Sequence, residues 1–453
     1  MSLFRREWTK ERVARVLRRA LGHAERNNGD LAWKWTQQLL RVHRTVPEAA
    51  QGLCLLLVEG AISRERRLEV ASQLFEAYSD HRQIVVGLAL AAEQLHDIRY
   101  LNAAPPADSM FTRLASRVRE MASTGADRDD ELELQHGLAT VARFLGRGWD
   151  AVAERAYQRI IELSPARWEV HYDLGLFYKT RGRFAEGQAA NQRAWDLGGS
   201  EDESVQWNLG ICATGAGDGE VALRVWKALG QHIEMGRFGL PQGGYPSTKV
   251  RLAQRPLAER GAENDEPGRE ESIWIERLSP CHGVVRSALY YDEIGVDYGD
   301  VVLFDGAPIT EQQYGDRKVD VFPHLATLVR SGYRVFRFAG TQRHDAQITK
   351  LSMELPADAV LYSHTEQMRI VCTQCWEGGA GGHEHGSNSD HKVVTGKLCS
   401  PPSVSEQELL QSLDRVVGAA PDVKLFVPEL AQAAGLEERA EIERRRMTMI
   451  EGS

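Results

Sequence analysis

Residues 168–184 read Trp168-Glu-Val-His-Tyr-Asp-Leu-Gly-Leu-Phe-Tyr-Lys-Thr-Arg-Gly-Arg-Phe184, and their reading decides the first half of the chain. Leu174-Gly175 returns as Leu209-Gly210, 35 positions later, in the phrase Trp207-Asn-Leu-Gly210. Helical periodicity dominates the first 235 residues around this stretch. Val13, Val16, Leu17, Ala20, Leu21 and Ala24 form one stripe at three- and four-residue spacing. Asn28-Gly29-Asp30 breaks that helix, and Asp30 is placed to cap the next. Further starts fall near Pro47, Ser63 and Asp80. Two such steps span about 34 residues, the period of a helix–turn–helix repeat.

The pattern resembles the tetratricopeptide repeat. Leu174 and Gly175 stand at that family's Leu-Gly pair, Tyr178 at its aromatic position, Gly182 at the turn and Ala194 at the small residue of the second helix. Gly217 and Ala222 repeat the last two in the next copy. Ala153, Tyr157 and Pro165 fit the second helix of an earlier one. Small residues let two helices approach closely, aromatics fill the groove between repeats, and proline stops the second helix. The sequence departs from the family at Gly187, where Ala is expected, and at Gly199, where Pro is expected. The resemblance covers 131–230. It implies a helical solenoid with a concave groove for a peptide or protein partner. Arg143, Arg147, Lys179, Arg181, Arg183, Asn191, Asn208 and Arg224 are the candidate groove residues. An arginine-rich groove favours an acidic segment or a carboxylate terminus.

After Gly230 the pattern changes. Residues 236–247 carry four glycines and two prolines, and 259–271 are acidic. From Ser272 the period falls to two, with strands at 273–278, 283–289, 300–304, 333–338, 360–362, 369–373 and 423–427. A helix is expected over Phe322–Arg330. Ser405-x-x-Glu408 forms a capping box for another, through Val417. Strands and helices mix without regular alternation, so this half reads as α+β. The expected fold is therefore an all-α solenoid followed by a strand-rich α+β domain. Its segments are 1–120, a divergent helical solenoid; 131–235, TPR-like repeats; 236–271, a linker; 272–430, the α+β domain; and 431–453, a charged helical tail.

Composition bounds function. The 453 residues are 42% hydrophobic and 26% charged, a globular balance, and no apolar run reaches membrane-spanning length. The net charge of -9 disfavours a nucleic-acid partner, although Arg5, Arg6, Lys10, Arg12, Arg15, Arg18 and Arg19 crowd the first helix. The strong preference for Arg over Lys suits a GC-rich bacterial genome. With no secretory h-region and thinly spread cysteines, the expected compartment is the cytoplasm.

Three groups of residues carry possible chemistry. Cys372-x-x-Cys375 with His383, His385, His391 and Cys399 offers thiolate and imidazole ligands for one zinc ion, although the spacing fits no standard finger. Opposed to that, a strand through 369–376 would point the two sulfurs to opposite faces. Cys281-His282 offers a thiol that needs a histidine from elsewhere, such as His324 or His344. Asp297, Asp300 and Asp305 sit in turn signals, where carboxylates fasten the backbone. The sequence thus favours a non-catalytic adaptor holding a protein or peptide partner, without a cofactor or with one zinc. A zinc or thiol enzyme in the second half, or a subunit of a larger assembly, are the alternatives.

Overall fold

A computed structural model describes residues 8–59, 62–95, 109–124, 127–261, 266–314, 316–356, 358–367 and 392–451. Its internal packing divides the chain into two compact units, Met1–Ala216 with Leu257–Pro267, and Gly217–Pro256 with Gly268–Ser453.

The first unit is helical. Its helices are α1 (Lys10–Ala24), α2 (Gly29–Leu40), α3 (Pro47–Val58), α4 (Arg64–Tyr78), α5 (Arg82–Leu90), α6 (Ala92–Leu95), α7 (Met110–Ser123), α8 (Arg128–Arg143), α9 (Asp150–Leu163), α10 (Trp168–Lys179), α11 (Phe184–Asp196) and α12 (Glu203–Gly215). The starts follow the expected breaks. Side-chain caps fix several of them: Thr9, Asn28, Ser109, Asp127 and Asp202 each accept from the first helical turn. The cap of α2 is Asn28, whereas Asp30 lies inside the first turn and pairs with Arg66 at 3.0 Å. One apolar core runs from Val13 to Ala190.

The hairpin α10–α11 shows why its glycines stand where they do. A Cβ on Gly175 would sit 2.2 Å from Asn191 Nδ2. A Cβ on Gly187 would sit 2.8 Å from Cys212 Sγ, so the departure from Ala there makes room for a sulfur of α12. Tyr157 and Phe177 pack at 5.9 Å between rings and join successive hairpins.

The second unit opens with α13 (Gly219–Ala228) and a short antiparallel pair, β1 (Ile233–Met235) with β2 (Pro241–Gly243). A small barrel follows, made of β3 (Thr248–Ala253), β4 (Glu270–Arg277), β5 (His282–Val285), β6 (Val301–Phe304), β7 (Thr310–Tyr314) and β8 (Arg317–Val329). The order is β3-β4-β5-β6-β8-β7, and β3 closes it by pairing parallel to β8. Val250, Leu252, Ile273, Ile275, Val302, Phe304 and Phe322 fill the interior.

A four-stranded antiparallel sheet completes the unit. Its order is β10 (Val360–Gln367), β11 (Lys392–Ser400), β9 (Arg334–Gln342), β12 (Lys424–Phe426). The helices α14 (Gln347–Leu351), α15 (Glu406–Gly418), α16 (Pro428–Ala433) and α17 (Glu437–Glu451) accompany it. Leu409, Leu410 and Leu413 of α15 pack with Phe336, Phe338 and Leu398 of the sheet. Ser405 caps α15, accepting from Glu408 N at 3.3 Å.

Two expectations change. The stretch 322–330 is strand, not helix. The ladder between β6 and β8 shifts register twice, between Val301 and Val302 and between Leu303 and Phe304. Each bulge places two neighbouring residues against one, so apolar positions recur at three and four instead of two. The segment 236–271 is not a linker. Gly236 and Gly239 lie in the connection from β1 to β2, and the Pro-flanked β3 is a closing strand of the barrel. The charged tail forms the helix α17, and it is packed. Met447 and Ile450 of α17 pack with Val393 and Phe426, and the Val427 N–H donates to buried Glu443 at 2.7 Å. Strand 369–373 lies outside the described residues.

Candidate functional site

The predicted groove cations are mostly used inside the solenoid. Arg181 Nε bonds Asp150 Oδ1 at 2.7 Å, and its Nη2 donates to the Arg143 carbonyl at 2.7 Å. Arg147 donates to the Arg181 carbonyl at 3.2 Å and to the Leu257 carbonyl. Arg183 bridges Glu154 and Glu186, each at 3.0 Å, and stacks on Tyr178 at 4.4 Å. Arg143 is buried and pairs with Glu93 at 3.2 Å. Lys179 and Asn208 are buried, and Asn191 is sealed between helices, donating to the Gly187 carbonyl at 2.8 Å. Arg224 is exposed, on α13 of the second unit. The set stitches hairpin turns together and forms no open cationic groove among the described residues. Sequence reasoning weighs each arginine alone, whereas its carboxylate or carbonyl partner lies about 30 residues away.

A different face remains accessible. On α10, Gly175 meets α11, and Tyr172 and Leu176, four residues apart, share a face turned about 80° around the helix from it. Trp207 occupies the matching position of α12, 35 residues on. Trp207 Nε1 donates to Glu203 Oε1 at 3.3 Å. These aromatics are half-buried, with Glu203 exposed beside them and Glu93 and Glu169 partly exposed. Behind them lies an ionic cluster that the sequence did not reveal. Burial raises the Asp173 carboxyl to about 6, Glu93 and Glu169 push it the same way, and Arg143 opposes them. Arg143 is fully enclosed, which by itself disfavours its charge. Tyr157, Glu93 and Asp173 nonetheless hold its pKa above the usual value. Burial also pushes the Tyr157 hydroxyl up to about 12. This face is aromatic, with exposed Glu203 at its edge, Glu93 paired to Arg143 and Glu169 to Arg167 at 4.0 Å, and the charge behind it depends on Asp173 around pH 6. The one sequence signal for it is the recurrence of an aromatic at 172 and 207.

In the second unit Cys281 and His282 are both fully buried. Ser279 Oγ accepts from the backbone N–H of Cys281 and of His282, both at 3.2 Å, and lies against His282 Nδ1. Burial lowers His282 to about 4. That is a sealed turn, with no route for a substrate to the thiol. His324 is buried against the Ala253 N–H, and His344 is exposed on a loop. Asp300 accepts from the N–H groups of Asp297 at 3.0 Å and Ser331 at 2.7 Å, so it fastens a turn as its sequence context suggests. Of the zinc candidates, Cys372, Cys375, His383, His385 and His391 lie outside the described residues. Cys399 is buried in β11 beside Ala288 and Tyr298, and burial raises its thiol to about 12.

No family model and no curated protein matches the chain. Solved structures of TPR proteins resemble about half of it. They include Pseudomonas aeruginosa PilF, at 13% identity and a TM-score of 0.32, covering 49% of this chain and 91% of that one. The thermophilic TPR protein TTC0263 of Thermus thermophilus has 18% identity and a TM-score of 0.28, over 48% and 100%. YrrB, a TPR protein with an unusual peptide-binding site, has 16% identity and a TM-score of 0.28, over 44% and 93%. Scores this low define no residue correspondence. The chain's own packing defines the class: a TPR-like helical region followed by a strand-rich region with a small barrel.

Proposed function

We propose that the chain is a binding protein whose helical unit holds a peptide segment on the face formed by Tyr172, Leu176 and Trp207. The observation that carries this reading is that an aromatic recurs at 172 and 207 on helices of successive repeats, half-buried in each, with exposed Glu203 beside them. Large aromatics on such a surface are the residues that anchor interfaces. The exposed Glu203 favours a segment with Lys or Arg, whose cation also packs against Tyr172 or Trp207. The partner's charge is therefore opposite to the one an arginine-rich groove would require. The strand-rich unit then acts as a second recognition module, and the protein is an adaptor.

The test is a peptide-display selection on the full chain, counter-selected with Trp207→Ala. The expected result is enrichment of sequences with a basic residue next to an apolar one. Their affinity should fall about tenfold or more in Trp207→Ala, an ordinary loss for an interface anchor. Selected peptides that bind the variant equally well, or that are acidic, contradict the reading.

A further inference from the structure

The barrel carries a pocket of about 490 Å³ lined by Ser247, Thr248, Trp274, Arg277, Arg317, Lys318, Val319, Asp320 and Phe322. One lining residue is Arg277, the last residue of β4. The guanidinium lies 5.6 Å from the Tyr245 and Phe304 rings and 5.5 Å from the Phe322 ring. Nε and Nη2 donate to the Ser279 and Pro280 carbonyls at 3.0 and 2.7 Å. No described carboxylate forms an ion pair with Arg277. A partly buried guanidinium bonded to carbonyls keeps its charge in surroundings where charge is poorly screened, and Asp320 of the pocket is the carboxylate that acts on it.

The rim adds to that charge. Arg317 is exposed and makes no ion pair with a described residue. Lys318 shares Glu311 at 2.8 Å. Asp320 is the only acid among the lining residues. On a chain of net charge -9 this excess of cations is local. Trp274 and Phe322 add aromatic rings to the lining, with Lys249 Nζ 5.5 Å from the first and the Arg277 guanidinium 5.5 Å from the second, and Ser247 and Thr248 supply hydroxyl groups. The volume falls in the usual range for a small-molecule site of ~300–1,000 Å³.

We propose that this pocket binds a phosphate monoester attached to a planar ring, a ligand of the mononucleotide class. The phosphate meets Arg277 and Arg317, whose guanidinium forks match its oxygens. The ring packs on Trp274. This site is independent of the solenoid face, and either proposal stands if the other fails.

The test is calorimetric titration of the full chain with AMP, adenosine, inorganic phosphate and a poly-glutamate peptide. AMP is expected to bind with a Kd below about 1 mM, and adenosine and phosphate at least about tenfold more weakly. Arg317→Glu, a surface change outside the core, should weaken AMP about tenfold or more with the melting temperature unchanged. Trp274→Leu should weaken AMP but leave the weak binding of phosphate as it is. The proposal is overturned if AMP does not bind at several millimolar, or if Arg317→Glu binds it as the native chain does. It is also overturned if phosphate binds as tightly as AMP, or if the acidic peptide binds more tightly than AMP.

Discussion

Asp173 offers the sharpest test at a single residue. Its carboxyl lies at about 6 in the folded chain against about 4 for a free aspartate. A group whose folded pKa is raised holds its proton longer in the native state. Stability therefore falls as pH rises from about 4 to about 6, and the loss is constant above that. Asp173→Asn should remove this slope. Relative to the native chain, the variant gains stability between pH 4 and pH 6, by about 3 kcal/mol at most for a shift of two units. Urea unfolding at pH 4.5, 5.5 and 7, read from the amides of α10, measures it. Parallel curves for the two proteins would show that Asp173 is solvated. This residue was not legible in the sequence. Its surroundings depend on Glu93 and Arg143, 80 and 30 positions upstream.

At the scale of elements, two turn glycines make contrasting predictions. Gly182 and Gly217 hold the turns of successive repeats, both with left-handed backbone, at φ 71° and 77°. A Cβ at 217 meets open space, whereas one at 182 would lie 2.2 Å from Ala258 Cα. Gly217→Ala should cost about 1–2 kcal/mol from the backbone conformation alone. Gly182→Ala should cost more, because it must also push back the turn Leu257–Glu259 that Arg147 fastens to the repeat. Thermal melts of the two variants, with proteolysis at residues 255–261, separate these effects. Equal melts and an undisturbed segment would refute the close approach. The helical elements were readable because their period and their small residues coincide, as at Gly175. Strand β8 was misread because its two bulges imitate a helical spacing. Strand β3 was hidden because glycine and proline on either side outweigh the alternation of Val250 and Leu252.

At the scale of the molecule, the two units should respond differently to acid. Burial lowers His136 and His171 of the helical unit, but His282 and His364 of the strand-rich unit are lowered as far as about 4, first by burial, and for His364 also by nearby Lys397. A lowered histidine stays neutral in the fold and takes up its proton on unfolding. The stability this gives is present above about pH 6.5 and is lost as pH falls toward 4. Limited proteolysis at pH 7 and pH 5 should show new cleavage first within the strand-rich unit. His282→Gln should reduce the difference between the two pH values. Cleavage that begins in α8–α12 would contradict this order. The division into a helical and a strand-rich half was legible because the hydrophobic period changes from 3.6 to 2. The packing of the candidate groove arginines was not, because most of them bond carboxylates and carbonyls about 30 or more residues away.

Peptide binding on the α10–α12 face is measured most directly by hydrogen exchange of the full chain with and without a display-selected basic peptide. Slowed exchange is expected in the first two turns of α10 and α12, around Tyr172 and Trp207, and should be lost in Trp207→Ala. Slowed exchange confined to the strand-rich unit, or none in α10 and α12, would contradict binding at this face.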